Sequence, residues 1–354
     1  MDLASTQTPA DVQRKPQPVR VGVIGYGWWG RVISRQLASS ERFTLSAIAE
    51  SDPVVRDGML GDAQTMGFTV LADANELIAR TDLDAVVLCT PHQSHAQQIV
   101  SSARSGKHVF CEKPLCLTLV DAQRAVAECE QRHLVLGIGH ERRFEPALIA
   151  MRREITAGTL GTVLQIEANF SQDKFFALPP DNWRLSNRFA PVGPLTATGI
   201  HLVDLAVAIL GCPETVWARL ATRGSRFENG DTLAVMMGFP GGANAMISAI
   251  LATPFEGRFA VYGSEGWMEI RDRTHPEQPT GWDVTRALRG KPRETQFWEP
   301  YPAVSANLEA FAKAIQGVEP YPVSASEMLA NVASLEAIMK SVDSRGLEQV
   351  RLVG

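Results

Sequence analysis

Six residues constrain this chain more than any others: Gly25-Tyr26-Gly27-Trp28-Trp29-Gly30, which follow the apolar run Val19-Arg20-Val21-Gly22-Val23-Ile24 and open a helical pattern. A G-x-G-x-x-G sequence alone carries little information, but between a strand and a helix it points to a bound dinucleotide. Gly25 makes the tight turn, Gly27 lets a pyrophosphate approach the backbone, and Gly30 lets the helix lie close to the strand. The helix N-terminus then presents its free N–H groups and dipole to the phosphates, with Trp28 and Trp29 beside them. Glu50 ends the second apolar run, Phe43 to Ala49, twenty residues after Gly30. A carboxylate there accepts both ribose hydroxyls of NAD and repels the 2′-phosphate of NADP; Asp52 is its closest rival for that role. No arginine adjoins Glu50 in sequence, the nearest basic residue downstream being Arg56, so NAD is expected ahead of NADP.

The first half goes on alternating short apolar runs with amphipathic stretches. Strands are expected over Leu83 to Cys89, His108 to Cys111 and Leu134 to Ile138, with helices from about His95 to Ser105 and Leu119 to Arg132. That order implies an α/β fold built on a doubly wound parallel sheet, a Rossmann domain over residues 19–140. After His140 the pattern changes. One helix, Pro146 to Thr156, precedes six strand candidates between Val163 and Ile270, interrupted by the helix Ile200 to Leu210. Successive strands without helices between them predict a large, mostly antiparallel open sheet in a C-terminal α+β domain, residues 141–354. Helices around Ser305 to Gln316 and Ser326 to Val342 close the chain, and the Pro-, Gly- and charge-rich stretch Arg273 to Pro302 is expected to be an exposed excursion. The polar, proline-bearing stretch 1–18 is expected to be a flexible arm without the apolar core of a secretory signal.

At 354 residues two domains are the natural expectation, and a net charge of −5 speaks against general affinity for nucleic acid or anionic membrane. No apolar run is long enough to span a bilayer. Five cysteines without a C-x-x-C pair suggest neither a disulfide framework nor a metal site, which suits the cytoplasm.

Two further segments carry chemistry. Cys111-Glu112-Lys113-Pro114-Leu115 lies at the carboxyl end of a parallel strand, where ligands of such sheets bind. A lysine there can exchange a hydroxyl proton if its neighbours depress its pKa, although a surface lysine is the plainer reading from the segment alone. Gly199-Ile200-His201-Leu202-Val203-Asp204 opens an apolar helix, and a histidine at a helix start can carry a proton or simply fill the core.

Taken together, the Gly25–Gly30 loop, Thr90-Pro91 with His95, Glu112-Lys113-Pro114 and Gly199 to Asp204 resemble the glucose–fructose oxidoreductase, inositol dehydrogenase and rhizopine-catabolism (Gfo/Idh/MocA) family from Val19 onward. The resemblance implies an NAD(P)-dependent dehydrogenase or reductase that moves a hydride between the nicotinamide and a secondary alcohol or carbonyl of a sugar, cyclic polyol or related molecule. It implies Lys113 and His201 as the acid/base pair, with Lys113 also near the cofactor's ribose, and Thr90, Pro91, His95 and Glu112 as cofactor-cleft residues. It also implies a homodimer or homotetramer through the C-terminal sheet. His140, Arg143, Trp183, Arg184 and Thr198 are the candidate substrate contacts, with the two arginines able to grip an acidic group. One departure stands out: the aspartate that sugar-oxidising members carry four residues before the histidine is Ala197 here. Either Lys113 works with less help, or the substrate differs from the usual polyol, or catalysis is lost. A non-catalytic dinucleotide sensor of the same fold is the rival reading.

Overall fold

The structure, a computed structural model, describes residues 17–352, so the arm expected over residues 1–18 lies, apart from its last two residues, outside the described residues. Residues 19–140 hold a parallel sheet of six strands: β1 (Val19–Ile24), β2 (Phe43–Ala49), β3 (Thr69–Leu71), β4 (Ala85–Leu88), β5 (His108–Cys111) and β6 (Leu136–Ile138). Their order is β3-β2-β1-β4-β5-β6, every neighbouring pair parallel. All four residues of β4 are buried, as helices on both faces require, which is why that run is continuously apolar. The order reverses between β1 and β4, and a crevice opens there at the strands' carboxyl ends. Three short helices (Pro53–Gly58, Leu60–Met66, Ala74–Ala79) and β3 escaped the sequence reading, being too short to show a period.

The second sheet has nine strands: β7 (Val163–Ser171), β8 (Thr215–Ala221), β9 (Thr232–Gly238), β10 (Asn244–Ile250), β11 (Glu256–Gly263), β12 (Gly266–Asp272), β13 (Trp282–Leu288), β14 (Glu294–Trp298) and β15 (Leu347–Gln349). They run in the order β14-β13-β12-β11-β7-β10-β9-β8-β15, and only β7 and β10 pair in parallel. Alternation is plain in β9, where Leu233, Val235 and Met237 are buried while Ala234 and Met236 are exposed. The inner face packs on the helices Ile200–Leu210 and Ala325–Ser344. The expected excursion over Arg273 to Pro302 is a correction: it contains β13 and β14, with Trp282 and Thr285 buried. Trp282 and Val284 face inward and alternate with Asp283 and Thr285 on the other face, and the prolines and glycines sit in its turns, which hid the strands.

The chain then crosses back. The helix Ala303–Ile315 buries Leu308, Phe311 and Ala312 in the core of the first sheet, with the Phe311 ring 5.5 Å from that of Phe110. Val323, Met328 and Val332 pack into the apolar cluster around β4 and β5. Residues 303–332 thus serve the Rossmann core as well as the second domain, which a division at residue 140 does not express. Apolar periodicity reports that a face is buried and is silent about which core buries it. Among the described residues no helix is long and apolar enough to cross a membrane. Because Phe311 is wholly buried in the core of the first sheet, Phe311→Ala is expected to cost roughly 3–5 kcal/mol, measured as a lower midpoint of denaturant unfolding.

Candidate active site

The glycine loop has the geometry that its three glycines predict. Gly25 has φ +94°, and a side chain there would also meet the carbonyl oxygen of Cys89 at 2.7 Å. At Gly30 a Cβ would lie 2.1 Å from the Gly25 carbonyl oxygen, so helix and strand approach each other only without one. At Gly27 a Cβ would meet nothing within 4 Å: it would project into the open space that a pyrophosphate needs. The helix Trp28–Ser39 starts at that point with no side chain capping its first N–H groups, which leaves them for an anion. The loop therefore fits a dinucleotide.

Glu50 lies at the end of β2, its carboxylate accepting from the Tyr26 N–H (2.6 Å) and the Asp52 N–H (3.0 Å). Asp52 caps the next helix, accepting from Val54 N–H (2.8 Å), so Glu50 is the acid beside the loop. The expectation that no arginine adjoins Glu50 needs correction. Arg56 folds back so that its Nη1 donates to the carbonyls of Glu50 (2.8 Å) and Ser51 (2.7 Å), a contact made by one turn of helix and invisible in the residue order.

Between the domains lies a cleft whose empty space of about 890 Å³ includes the open solvent at its mouth. Trp28, Trp29, Thr90, Glu112, Lys113, Trp183, Arg184, Thr198 and His201, all expected at a site, line it together with Ala197. Lys113 follows β5, and the Lys113–Pro114 peptide is cis. Its ammonium crosses to the second domain and donates to the carbonyls of Ala197 (2.5 Å) and Thr196 (3.3 Å). Those carbonyls are available because residues 195–199 form a π-helical turn ahead of the helix Ile200–Leu210, and such turns leave backbone acceptors free. Burial pushes the Lys113 pKa down, partly offset by Glu141 and Glu112. Burial also holds His201 neutral, with Lys113 and His140 acting in the same direction.

Other expected residues stand outside the cleft lining. Both ring nitrogens of His95 face carbonyls, those of Pro114 at 2.8 Å and Thr90 at 3.0 Å, so it joins the two loops behind the cleft, and Pro91 merely starts a short turn. His140 is buried with Nε2 3.6 Å from Asp204. Arg143 is turned away from any substrate: its guanidinium grips Asp204 (2.7 Å) and Glu327 (2.6 Å), so its charge is already neutralised, contrary to the expectation that it could bind an acid. Arg184 does face the cleft, packed on the Trp183 ring at 4.4 Å and within 6.0 Å of Trp28, its pKa lowered by burial to about 10. Thr198 gives its hydroxyl hydrogen to the Phe170 carbonyl at 2.8 Å.

Several cleft residues were not singled out from the sequence, although Glu141 lies between His140 and Arg143, both expected there. His92 stacks edge-on against Trp183 with centroids 5.0 Å apart. Glu141, Phe170, Gln172 and Phe175 line the floor and second wall, and His275, Pro276 and Glu277 come from the segment read as an exposed excursion. Glu277 is tied to Lys174 at 2.7 Å. None belongs to a spaced motif, because separate loops deliver them.

Models of two families cover most of the chain: "Oxidoreductase family, NAD-binding Rossmann fold" matches residues 19–140, and the "GFO/IDH/MocA C-terminal domain" matches residues 148–269. The inositol 2-dehydrogenase of Rhizobium meliloti is 30% identical over 335 residues, covering 92% of this chain and 97% of that protein. The chain belongs to the Gfo/Idh/MocA oxidoreductase family. A D-xylose 1-dehydrogenase (NADP(+)) of Haloferax volcanii is 28% identical over 279 residues, 78% of this chain and 83% of that one. The crystal structure of aldose-aldose oxidoreductase from Caulobacter crescentus superposes with TM-score 0.82 at 26% identity, covering 94% and 99% of the two chains. The protein is thus an oxidoreductase with an NAD(P)-binding Rossmann domain, and these relatives lend no support to a non-catalytic sensor.

Glu112 carries a testable electrostatic signature. Burial raises its pKa from the ordinary 4.5 to about 7. The folded state therefore holds a proton that the unfolded chain releases, and this group's contribution to stability falls as pH rises from 4.5 through 7. Replacement by Gln removes that loss. The unfolding temperature of cofactor-free Glu112→Gln, relative to the parent protein, is expected to be higher at pH 8 than at pH 5.

Proposed function

We propose that the protein oxidises a secondary alcohol of a sugar, cyclic polyol or related small molecule, or reduces the matching carbonyl, with NAD preferred to NADP. The observation that carries this reading is Lys113: it stands at the carboxyl end of β5 beside the glycine loop and reaches across the cleft to the turn that leads into His201. The dinucleotide would lie with its pyrophosphate on Gly25–Gly30 and its adenosine ribose at Glu50, and when bound it supplies or accepts the hydride. The chain's own residues do the rest. Lys113 exchanges the hydroxyl proton, its depressed basicity suiting the task near neutral pH. His201 offers a neutral imidazole to the same oxygen, and Trp28, Trp183 and Phe175 supply apolar walls that limit water. Glu112 and Thr90 line the cofactor side, and Trp183, Arg184 and Thr198 the substrate side.

Expected assembly follows from the second sheet. On its outer face Leu347, Trp217, Met236 and Met246 stand in one cross-strand row, each at least 37% exposed. An apolar stripe of that length on an open sheet suits burial against a second copy, giving a homodimer or homotetramer. All five cysteines are free thiols, consistent with work in the reducing cytoplasm.

Two measurements test the reading. With cyclic polyols, aldoses and hydroxy acids as substrates, Lys113→Ala is expected to lower turnover by about 10²- to 10⁴-fold while the affinity for NADH, read by its fluorescence, changes little. Undiminished turnover would remove Lys113 from the mechanism. NADH is expected to bind at least about tenfold more tightly than NADPH, roughly 1.4 kcal/mol, and Glu50→Ala to erase the difference. Tighter NADPH binding would mean that Arg56 outweighs Glu50.

A further inference from the structure

Ala197 leaves the cleft without the carboxylate expected four residues before the histidine, yet a carboxyl group does face His201. It belongs to Glu141, at the start of the short turn Glu141–Phe144 just after β6, the last strand of the first sheet. Its Oε2 is 3.7 Å from Nδ1 of His201, and both residues line the cleft. That Nδ1 is buried and has no hydrogen-bond partner, so a small rotation of either side chain would give it one. The backbone of Glu141 is held firmly, because the next two residues are pinned: Arg142 by Glu145 (3.1 Å) and Asp272 (2.8 Å), Arg143 by Asp204 and Glu327.

We propose that Glu141 replaces the missing aspartate as the positioning residue for His201, orienting the imidazole and sharing one proton with it during turnover. The inference rests on the reading of Lys113 and His201 given above. In the oxidising direction the substrate C–H bond breaks and its hydrogen leaves as hydride to an oxidised nicotinamide. The substrate O–H bond breaks as C=O forms, and the proton goes to Nζ of Lys113. The Glu141–His201 pair then takes that proton from Lys113 and releases one to water at the cleft mouth, which restores all three groups. The electrostatics agree with the geometry. Burial and the neighbouring Glu112 raise the Glu141 carboxyl, while Lys113 and Arg142 pull it down. His201 is held neutral by burial and by Lys113, His140, Arg142 and His275. Glu145 is the remaining acid near Glu141. Burial thus favours a protonated carboxyl facing a neutral imidazole.

The test uses the full chain, free of cofactor, labelled with 13C-glutamate and 15N-histidine and titrated by NMR. In the parent protein one glutamate carboxyl and the His201 nitrogens are expected to shift together with pH. Glu141→Gln should remove the carboxyl inflection and change the His201 nitrogen shifts. In turnover with the substrate panel, the same variant should lower kcat by about 100-fold, flatten the matching limb of the pH profile and leave KM nearly unchanged. Glu141→Asp should keep part of the activity, and adding Ala197→Asp to Glu141→Gln should recover part of the loss, which an unfolded variant could not do. Identical His201 shifts and inflection in Glu141→Gln and the parent protein would overturn the proposal. A coupled titration alongside an active Lys113→Ala would instead support the pair and place the error in the reading of Lys113.

Discussion

Two consecutive arginines in the turn just after β6 tie the two parts of the molecule together. Arg142 is almost wholly buried and pairs with Glu145 and Asp272, the latter at the end of β12. Arg143 pairs with Asp204 on the helix that carries His201 and with Glu327 on the last long helix. Glu145 comes from the same turn, whereas Asp272, Asp204 and Glu327 come from elements distant along the chain, and together they neutralise both guanidinium charges. Removing one partner from a buried pair of this kind costs about 3–5 kcal/mol, because the other charge stays buried alone. The domain interface is therefore committed to one arrangement. Asp204, read first as part of a helix-opening motif, acts in that interface rather than on substrate.

The cleft inherits its shape from this pinning. With the turn after β6 fixed against the second sheet, Glu141 points at His201, and the π-helical turn at residues 195–199 sits within reach of Lys113. The Lys113 ammonium bonds two backbone carbonyls instead of a carboxylate, which leaves it poised by burial and not fixed as an ion pair. Cations and aromatic rings crowd the mouth: Arg184 lies on Trp183, Lys174 lies within 5.6 Å of the Trp28 ring, and His92 meets Trp183 edge-on.

The Rossmann domain was legible in its main strands and long helices but not in β3 and the three short helices around it. β1, β2 and β5 begin and end where their apolar runs do, and the helix Ile200–Leu210 has the expected ends. The second sheet was legible in kind and short in extent. The edge strands β14 and β15, and β13 beside β14, were missed because their polar residues and flanking turns mimic loop composition. Lys113, His201 and the glycine loop each lie in a spaced motif whose local backbone does the positioning. Arg143 was misread for the complementary reason: a cation in a cleft-forming segment looks the same in sequence whether or not an acid distant along the chain has already claimed it.

Local geometry was thus decided by the amino-acid order. A tight turn at Gly25, an open cradle at Gly27 and a close helix–strand contact at Gly30 need only neighbouring residues, so the dinucleotide site could be read directly. What only the tertiary structure decided is everything that depends on charges and rings meeting from distant parts of the chain. It moved Arg56 onto the carbonyls of Glu50 and Ser51, withdrew Arg143 into ion pairs, folded the Ala303–Ile315 helix back onto the first sheet, and set Glu141 opposite His201. Burial then shifted the ionisation of each group in the cleft, a property that belongs to the cavity and to no residue alone.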